Sequence, residues 1–206
     1  MFGKGYSDFD QRKPFRQPQQ DHHAKIAIDL EDSFNGANRA ITLQRPYVDE
    51  KRRVQTKPHV LNVKIPKGIC QGQQIRLKGQ GADTGVGCKG DLYLEISFKA
   101  HTIYRIDGRD LELDLPIAPW EAALGATIRV RTPGGIVDLK IPPVSTTDQR
   151  LRLKGRGLPG KTTSQNGNLT AVLKIVNPPT MSKSTKALYH QMQREISFNP
   201  RKNLGV

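Results

Sequence analysis

Residues 155–162, GRGLPGKT, match the phosphate-loop pattern GxxxxGK followed by serine or threonine at every fixed position. In a nucleotide-binding protein this loop joins a buried strand to a helix, so that backbone amides and the helix N-terminus hold the phosphates. Here the preceding LRLK alternates with charge, the following TTSQNGNL has the composition of a turn, and no apolar run ends in an aspartate that could hold magnesium. We therefore interpret these glycines as turn residues and predict no nucleotide chemistry.

Histidine and cysteine, which often act as bases, nucleophiles or metal ligands, form no recognisable motif in this sequence. Cys70 and Cys88 lack the CxxC spacing of a zinc ribbon, so we expect free thiols in a reducing compartment, with a disulfide between them as the alternative. No histidine stands in a GxSxG or HExxH setting. The sequence thus predicts a binding protein that is not an enzyme, with no metal and no cofactor.

The charge of the chain favours a polyanionic partner. Its net charge of +14 and the absence of any apolar run near 18 residues point to nucleic acid or an acidic protein surface rather than a membrane span. Because no aromatic cluster accompanies the basic residues, we expect any nucleic-acid binding to follow phosphates more than bases. The candidate DNA-binding residues are Lys51, Arg52, Arg53, Arg76, Lys78, Arg129, Arg131, Arg152, Lys154, Arg156 and Lys161.

An internal repeat organises the chain. IRLKGQG at 75–81 returns as LRLKGRG at 151–157, LNVKIP returns as VDLKIP, and GDLYLEI returns as GNLTAVL. AIDLEDSFNG matches LDLPIAPWEAALG more loosely upstream. Matched blocks in one order indicate a tandem duplication of a single supersecondary unit.

Each copy has the period-two alternation of β-strands with one buried face. The fold class that this predicts is mainly β, with two tandem small β-sandwich domains. Short helices are predicted at 30–36 and at 118–125, where Pro119 suits a first helical position and Trp120 contributes to an apolar side. Between its second and third strands the first copy has a longer connection, residues 45–58, which is either a functional loop or a solvated hairpin.

A different pattern begins after NPP at 177–179. Residues 182–196 are predicted to form a helix, with Leu188, Met192 and Ile196 in one apolar stripe. This stripe could dock on its own domain or pair with a second copy, and we favour dimerisation.

The alternation places Ile26, Ile41 and Leu43 near the edge of the first predicted sheet, with Arg39 close by and Tyr104 at the domain junction. These side chains are either core residues or the lining of an apolar groove beside an unpaired strand. Such a groove would accept an extended peptide as an added strand, with backbone hydrogen bonds that require no particular peptide sequence.

Four segments carry a family resemblance: LNVKIPKGICQGQQIRLKGQG, GDLYLEI, HTIYRIDGRDLELDLPIAPWEAALGA and RLRLKGRGLP. They resemble the C-terminal substrate-binding region of DnaJ-type J-domain co-chaperones, in particular the zinc-free bacterial branch of the curved-DNA-binding protein A type. The SFNPRK ending is also typical of that branch, and the likeness covers about 24–206.

The resemblance implies a domain organisation and a function. Residues 1–23 would be a disordered Gly/Phe-like linker remnant, 24–104 a client-binding domain, 105–179 a second β domain, and 180–206 a dimerisation helix and tail. A homodimer would capture unfolded polypeptide for an Hsp70 partner and also bind DNA, in the cytoplasm and at the nucleoid. The alternative is a protein that is primarily a sequence-tolerant nucleoid DNA-binding protein.

By motif position, the resemblance implies that Ile26, Ile41, Leu43 and Tyr104 line the client groove, with Arg39 at its rim. Three departures qualify it. The J-domain with its HPD triplet is absent from the sequence, so we expect a fragment of a longer protein that does not by itself stimulate an Hsp70 ATPase, although Hsp70 could also contact the first domain. The Cys-rich zinc module is missing near 45–58, and Thr102 stands where the family often has proline.

Overall fold

The computed structural model of the chain describes residues 21–48, 53–81, 90–179 and 182–204. Two compact units are present, Met1–His101 and Thr102–Val206. The predicted mainly β fold with short helices is confirmed. Among the described residues, no helix is long and apolar enough to cross a membrane.

The first unit contains two sheets and one short helix. Its elements are β1 (His22–Ile28), α1 (Leu30–Asn35), β2 (Ala37–Val48), β3 (Val54–Ile65), β4 (Gln74–Leu77) and β5 (Leu92–Phe98). One sheet has the order β1-β5-β4, with β1 parallel and β4 antiparallel to β5. The other is the antiparallel β2–β3 hairpin, in which Ala37 lies opposite Ile65.

The linker was predicted to run to residue 23, but β1 already begins at His22. The amide of His22 donates to the carbonyl of Asp91 at 2.8 Å, and the ring of His23 stacks on Tyr93 with centroids 5.1 Å apart. Both histidines are therefore placed by a strand ladder that the local sequence does not reveal.

The two sheets of the first unit share one core. Alternate aliphatic side chains of β1, β3 and β5 face each other across it, and burying each contributes about 1.5–3 kcal/mol relative to leaving it exposed. The buried cluster is Ile26, Ile28, Leu61, Val63, Ile65, Ile69, Leu92, Leu94 and Ile96.

Within the described ranges, the second unit repeats this arrangement and has one further strand and a C-terminal helix. Its elements are β6 (Tyr104–Asp107), β7 (Asp110–Ile117), α2 (Pro119–Leu124), β8 (Ala126–Thr132), β9 (Gly135–Ile141), β10 (Arg150–Leu153), β11 (Leu169–Ile175) and α3 (Lys183–Glu195). The order β10-β11-β7-β6 contains counterparts of β4, β5 and β1, and β8–β9 is the counterpart of β2–β3. The extra strand β6 begins at Tyr104, so the predicted domain boundary after residue 104 falls inside this strand.

The two copies differ in the length of their hairpins. β2 and β3 are each 12 residues long, whereas β8 and β9 are each seven. The longer connection at 45–58 thus continues the strands of the hairpin on both sides of residues 49–52, which lie outside the described residues.

Helix α2 begins with Pro119, as predicted, and the Glu121 carboxylate accepts a hydrogen bond from the Ala118 amide at 2.8 Å. The apolar side predicted for this helix is largely exposed, since only Ala122 is buried while Trp120 and Leu124 face solvent.

Helix α3 forms over nearly the predicted residues, with the Ser182 hydroxyl accepting from the Thr185 amide at 3.1 Å as its N-cap. Thr185 and Tyr189 on this helix are half-buried.

Candidate functional site

Four of the five predicted groove residues lie on β1 and β2 of the first unit. Ile26 on β1 is 7% exposed and belongs to the core cluster. Ile41 and Leu43 on β2 are half-buried and pack against that same cluster. Arg39 lies on β2 with its side chain largely in solvent. The apolar pair on β2 is thus the part of the predicted set that remains accessible.

Tyr104, the fifth predicted residue, belongs to the second unit. It is 6% exposed, lies opposite Leu113 in the β6–β7 ladder, and donates its hydroxyl to the carbonyl oxygen of Arg131 at 2.8 Å. Its side chain is therefore part of the packing of the second unit and not of the cleft formed by β1 and β2.

A cleft of about 180 Å³ opens between the end of β1, helix α1 and the start of β2. In the described part of the chain, β1 pairs with β5 alone and β2 with β3 alone, so each strand leaves one edge without a partner. The lining residues are Ala27, Ile28, Asp29, Asp32, Arg39, Ala40, Ile41 and Lys99.

Charge at the cleft is balanced and held in place. Arg39 donates from Nε and from a terminal nitrogen to the two oxygens of Asp32, at 3.0 and 2.7 Å, while Lys99 pairs with Asp29 at 3.0 Å. Asp32 is buried, and its hydrogen bonds and charge raise the pKa of Arg39 above its usual range. Two cations and two anions leave a rim of little net charge around an apolar floor, which favours no particular ligand charge.

Alternate backbone groups of β1 and β2 face the unpaired edges of these strands. The carbonyl of Ile28 accepts from Lys99 and the amide of His22 donates to Asp91, so the even-numbered residues of β1 bond to β5. The intervening residues, Ala27 among them, therefore turn their amide and carbonyl to the free edge. On β8, the Arg131 carbonyl accepts from the Tyr104 hydroxyl and so faces away from β9. Because β2 is the counterpart of β8, the same alternation turns the backbone of Ala40 away from β3.

The matching edge of the second unit is closed by its own chain. β7 corresponds to β1, and β6 (Tyr104–Asp107) pairs with Asp110–Leu113 at the outer edge of β7. The position that matches Ala27 is occupied by Pro116, which has no amide hydrogen to offer an added strand. Among the described residues, the edge of β1 is therefore unpaired in the first unit, whereas the first half of β7 is paired in the second and its other half carries Pro116.

In the loop that matches the phosphate-loop pattern, three backbone amides donate hydrogen bonds within the protein. The amide of Gly157 donates to Gly167, that of Leu158 donates to Arg109, and that of Gly160 donates to the side chain of Asn166. A Cβ on Gly157 would stand 2.5 Å from the Arg109 carbonyl, so close approach of backbone explains this glycine. These amides are not available to cradle a phosphate.

Most of the predicted basic residues that the structure describes fall into two matching groups, one on and after β4 and one on and after β10, together with two arginines on β8. Arg76 on β4 and Lys78 after it form the first group. The second group consists of Arg152 on β10 and of Lys154 and Arg156 after it, all of them exposed. Arg53 beside β3 and Lys161 after β10 are also exposed. Lys51 and Arg52 lie outside the described residues, as does Cys88.

The apolar stripe of α3 is not docked on its own unit. Leu188, Met192 and Ile196 are 64%, 54% and 56% exposed. The predicted helix therefore leaves much of its stripe exposed, while Thr185 and Tyr189, which lie on the same side of α3 at helical spacing, are half-buried.

Residues 22–178, more than half of the chain, match the family described as DnaJ C terminal domain. The chain belongs to this family. Among curated proteins it is similar to a "Curved DNA-binding protein" of Coxiella burnetii, at 45% identity over 98% of this chain and 69% of the relative. Proteins with the same name in Shigella boydii and Pseudomonas putida are each 42% identical, over 100% and 88% of this chain and over 67% and 58% of the relatives. The resemblance to the DnaJ family and its curved-DNA-binding branch is confirmed.

Sequence reasoning missed two features of this DnaJ C-terminal region. It did not predict β6, because four residues give too little alternation. It also overlooked the contrast between Ala27 and Pro116, which aligning the two copies strand by strand would have shown.

Proposed function

We propose that the first unit captures extended segments of unfolded polypeptide in the cleft between β1 and β2 and presents them to an Hsp70 partner. Membership of the DnaJ C-terminal domain family supports this proposal, as does the combination of an apolar floor with a rim of balanced charge. A ligand recognised mainly through its backbone needs little sequence preference, which suits a client whose only common property is being unfolded.

The observation that carries the proposal is the difference between the two copies. In the second unit β6 pairs with Asp110–Leu113 in the first half of β7, whereas no described strand pairs with the matching edge of β1. A peptide in the first unit would pair with the edge of β1 in the way that β6 pairs with β7, but further along the strand, at the cleft beside Ala27. Its backbone would pair with a free edge, and its apolar side chains would lie against Ile41 and Leu43.

The experiment measures suppression of aggregation of a denatured client and the affinity for a labelled extended peptide. Ile41→Asp places charge in the lining of the cleft, and Leu43→Asp places it two residues further along β2. Each is expected to abolish most of the suppression. Ala27→Pro removes one amide hydrogen from the free edge of β1, and Ala40→Pro removes one from the free edge of β2. The variant that loses affinity for the peptide identifies the edge with which the peptide pairs. Ala27→Val and Ala40→Val keep the amides and serve as matched controls.

Proline at residue 27 is compatible with the fold because Pro116 occupies the matching position in the second unit. The assignment of the cleft fails if all four variants retain wild-type suppression while their circular dichroism shows folded protein.

We also propose that the chain forms a homodimer through 182–196, because three large apolar side chains of α3 are exposed along one stripe. Two linked first units would then offer two clefts to one client and increase the effective affinity for a long chain.

DNA binding is the second proposed function, with action in the cytoplasm and at the nucleoid. It is supported by the net charge of +14 and by the relatives that carry the name curved DNA-binding protein. Binding should weaken steeply with salt, since phosphate contacts release counterions. If peptide capture fails its test and DNA binding passes, the chain is primarily a sequence-tolerant DNA-binding protein. We infer no enzymatic role.

A further inference from the structure

An arginine that holds the same position in both units has different partners in the two. Arg76 on β4 and Arg152 on β10 hold the same position in the repeated sheet. In the first unit, Arg76 donates from Nε to Oδ2 of Asp91 at 2.6 Å, while Oδ1 of the same carboxylate accepts from the Gly79 amide at 2.8 Å. The Gly79 amide and Arg76 lower the pKa of Asp91, so this carboxylate is charged at neutral pH and holds Arg76.

In the second unit, asparagine replaces this aspartate. Asn168 keeps the turn contact, since its Oδ1 accepts from the Gly155 amide at 3.3 Å. Its other terminal atom is a nitrogen that donates to Asp110 at 3.2 Å, so it cannot accept from an arginine. Among the described residues, Arg152 has no carboxylate within ion-pairing distance.

Two more unpaired cations follow Arg152. Lys154 and Arg156 are exposed and have no acidic partner in the part of the chain that the structure describes. In the first unit the residue that matches Arg156 is Gln80, whose side chain contacts His59 at 3.2 Å. Within the described residues, the second unit therefore presents three cations without an acidic partner, Arg152, Lys154 and Arg156, which we call the basic strip. At the matching positions of the first unit, Arg76 is paired with Asp91 and Gln80 is uncharged, so that Lys78 alone is a cation outside an ion pair.

We propose that the basic strip is the surface of this chain that contacts the phosphates of duplex DNA. The proposal rests on the proposed DNA binding and assigns that binding to the second unit. A cation without an acidic partner contacts a phosphate, and so releases counterions from DNA, without first breaking another ion pair. Arg76 would have to break its ion pair with Asp91 before it could do the same. From residue 152 to residue 156 the chain spans at most about 14 Å. Charges spread over such a length suit a line of phosphates better than one small anion.

The first experiment measures the affinity for a linear mixed-sequence duplex by fluorescence anisotropy, between about 50 and about 200 mM salt. Arg152→Gln, Lys154→Gln and Arg156→Gln are combined in one variant, and Arg76→Gln with Lys78→Gln form the matched control. The basic-strip variant should lose up to about 2.7 from the slope of log affinity against log salt, and the control at most about 0.9.

The second experiment exchanges the residues that distinguish the units. Asn168→Asp supplies the acceptor that Arg152 lacks and should reduce the magnitude of the slope by about 0.9, whereas Asp91→Asn frees Arg76, which lies outside the basic strip, and should leave the slope unchanged. A change in the second unit with none in the first does not follow from general loss of fold, which circular dichroism checks independently.

The outcomes separate the assignment from the function on which it rests. If the wild-type chain binds duplex DNA and both the basic-strip variant and Asn168→Asp keep its salt slope, the assignment to the second unit is wrong while DNA binding stands. If the wild-type chain shows no salt-dependent binding at all, both the function and the assignment are wrong.

Discussion

The stripe of α3 gives a quantitative expectation for the dimer. Complete burial of a large aliphatic side chain contributes about 1.5–3 kcal/mol, so stripe residues that are a little over half exposed have about 1–2 kcal/mol each still to gain. Leu188, Met192 and Ile196 from two copies together supply about 6–12 kcal/mol. A micromolar dimer needs about 8 kcal/mol net, after an association cost of at least about 4 kcal/mol.

The stripe alone therefore supports a dimer in the micromolar range only at the upper end of this sum. Phe198 and Leu204 are 75% and 76% exposed just beyond the helix, and burying them as well would bring the dimer into that range. We accordingly expect the segment after α3 to take part in the interface.

The perturbation is Leu188→Asp combined with Met192→Asp, examined by sedimentation equilibrium at tens of micromolar protein. Wild-type protein should sediment near twice 23.0 kDa and the variant near 23.0 kDa. His190→Asp combined with Gln193→Asp adds the same charge to α3 outside the stripe and should leave the dimer intact. A variant that stays dimeric with both stripe residues charged would refute this reasoning, as would a wild-type chain that is monomeric at every concentration.

Three further predictions concern single residues. Tyr104→Phe removes the hydrogen bond to a carbonyl and should lower the free energy of unfolding by about 1 kcal/mol without changing peptide affinity, which chemical denaturation and anisotropy would test. Gly125→Ala and Gly36→Ala should each cost about 1–3 kcal/mol because φ is positive at both positions, and Gly125→Ala should cost more because its Cβ would stand 3.0 Å from a carbonyl rather than 3.5 Å. The pKa of Asp91 is depressed in the folded state, so its stabilising effect is present above the pKa of an unfolded aspartate and is lost as the pH falls through the folded pKa. Asp91→Asn should therefore flatten the acid side of a melting-temperature profile, and an unchanged profile would argue against the ion pair.

Local pattern was sufficient to predict most strands and both copies of the fold. Alternation identifies the buried faces of β1, β3 and β5, because one side of each strand packs on the core. Successive side chains of a strand point to opposite sides, so apolar residues recur at every second position. The short helix after β7 was equally predictable, since Pro119 and Gly125 bound it on either side.

What the sequence did not reveal depends on contacts between distant residues. Tyr104 was assigned to the first domain because motif position placed it at the junction, whereas pairing with Leu113 makes it part of the second. Arg76 pairs with Asp91, which lies 15 residues further along the chain. The sequence alone does not show that these two residues form an ion pair, or that the ion pair is lost where Asn168 replaces the aspartate in the second copy. Exposure of the α3 stripe is likewise a property of packing, since an amphipathic helix has the same sequence pattern whether or not it is docked.

The parallel pairing of β1 with β5 has a consequence for how the chain reaches its native state. His22 lies opposite Leu92, so β1 can pair only after about 70 further residues have been synthesised. Contacts of such large sequence separation slow folding, because the loop must close before the pairing can stabilise it. During translation, a protein proposed to protect other unfolded chains would for a time expose strand edges and aliphatic faces of its own.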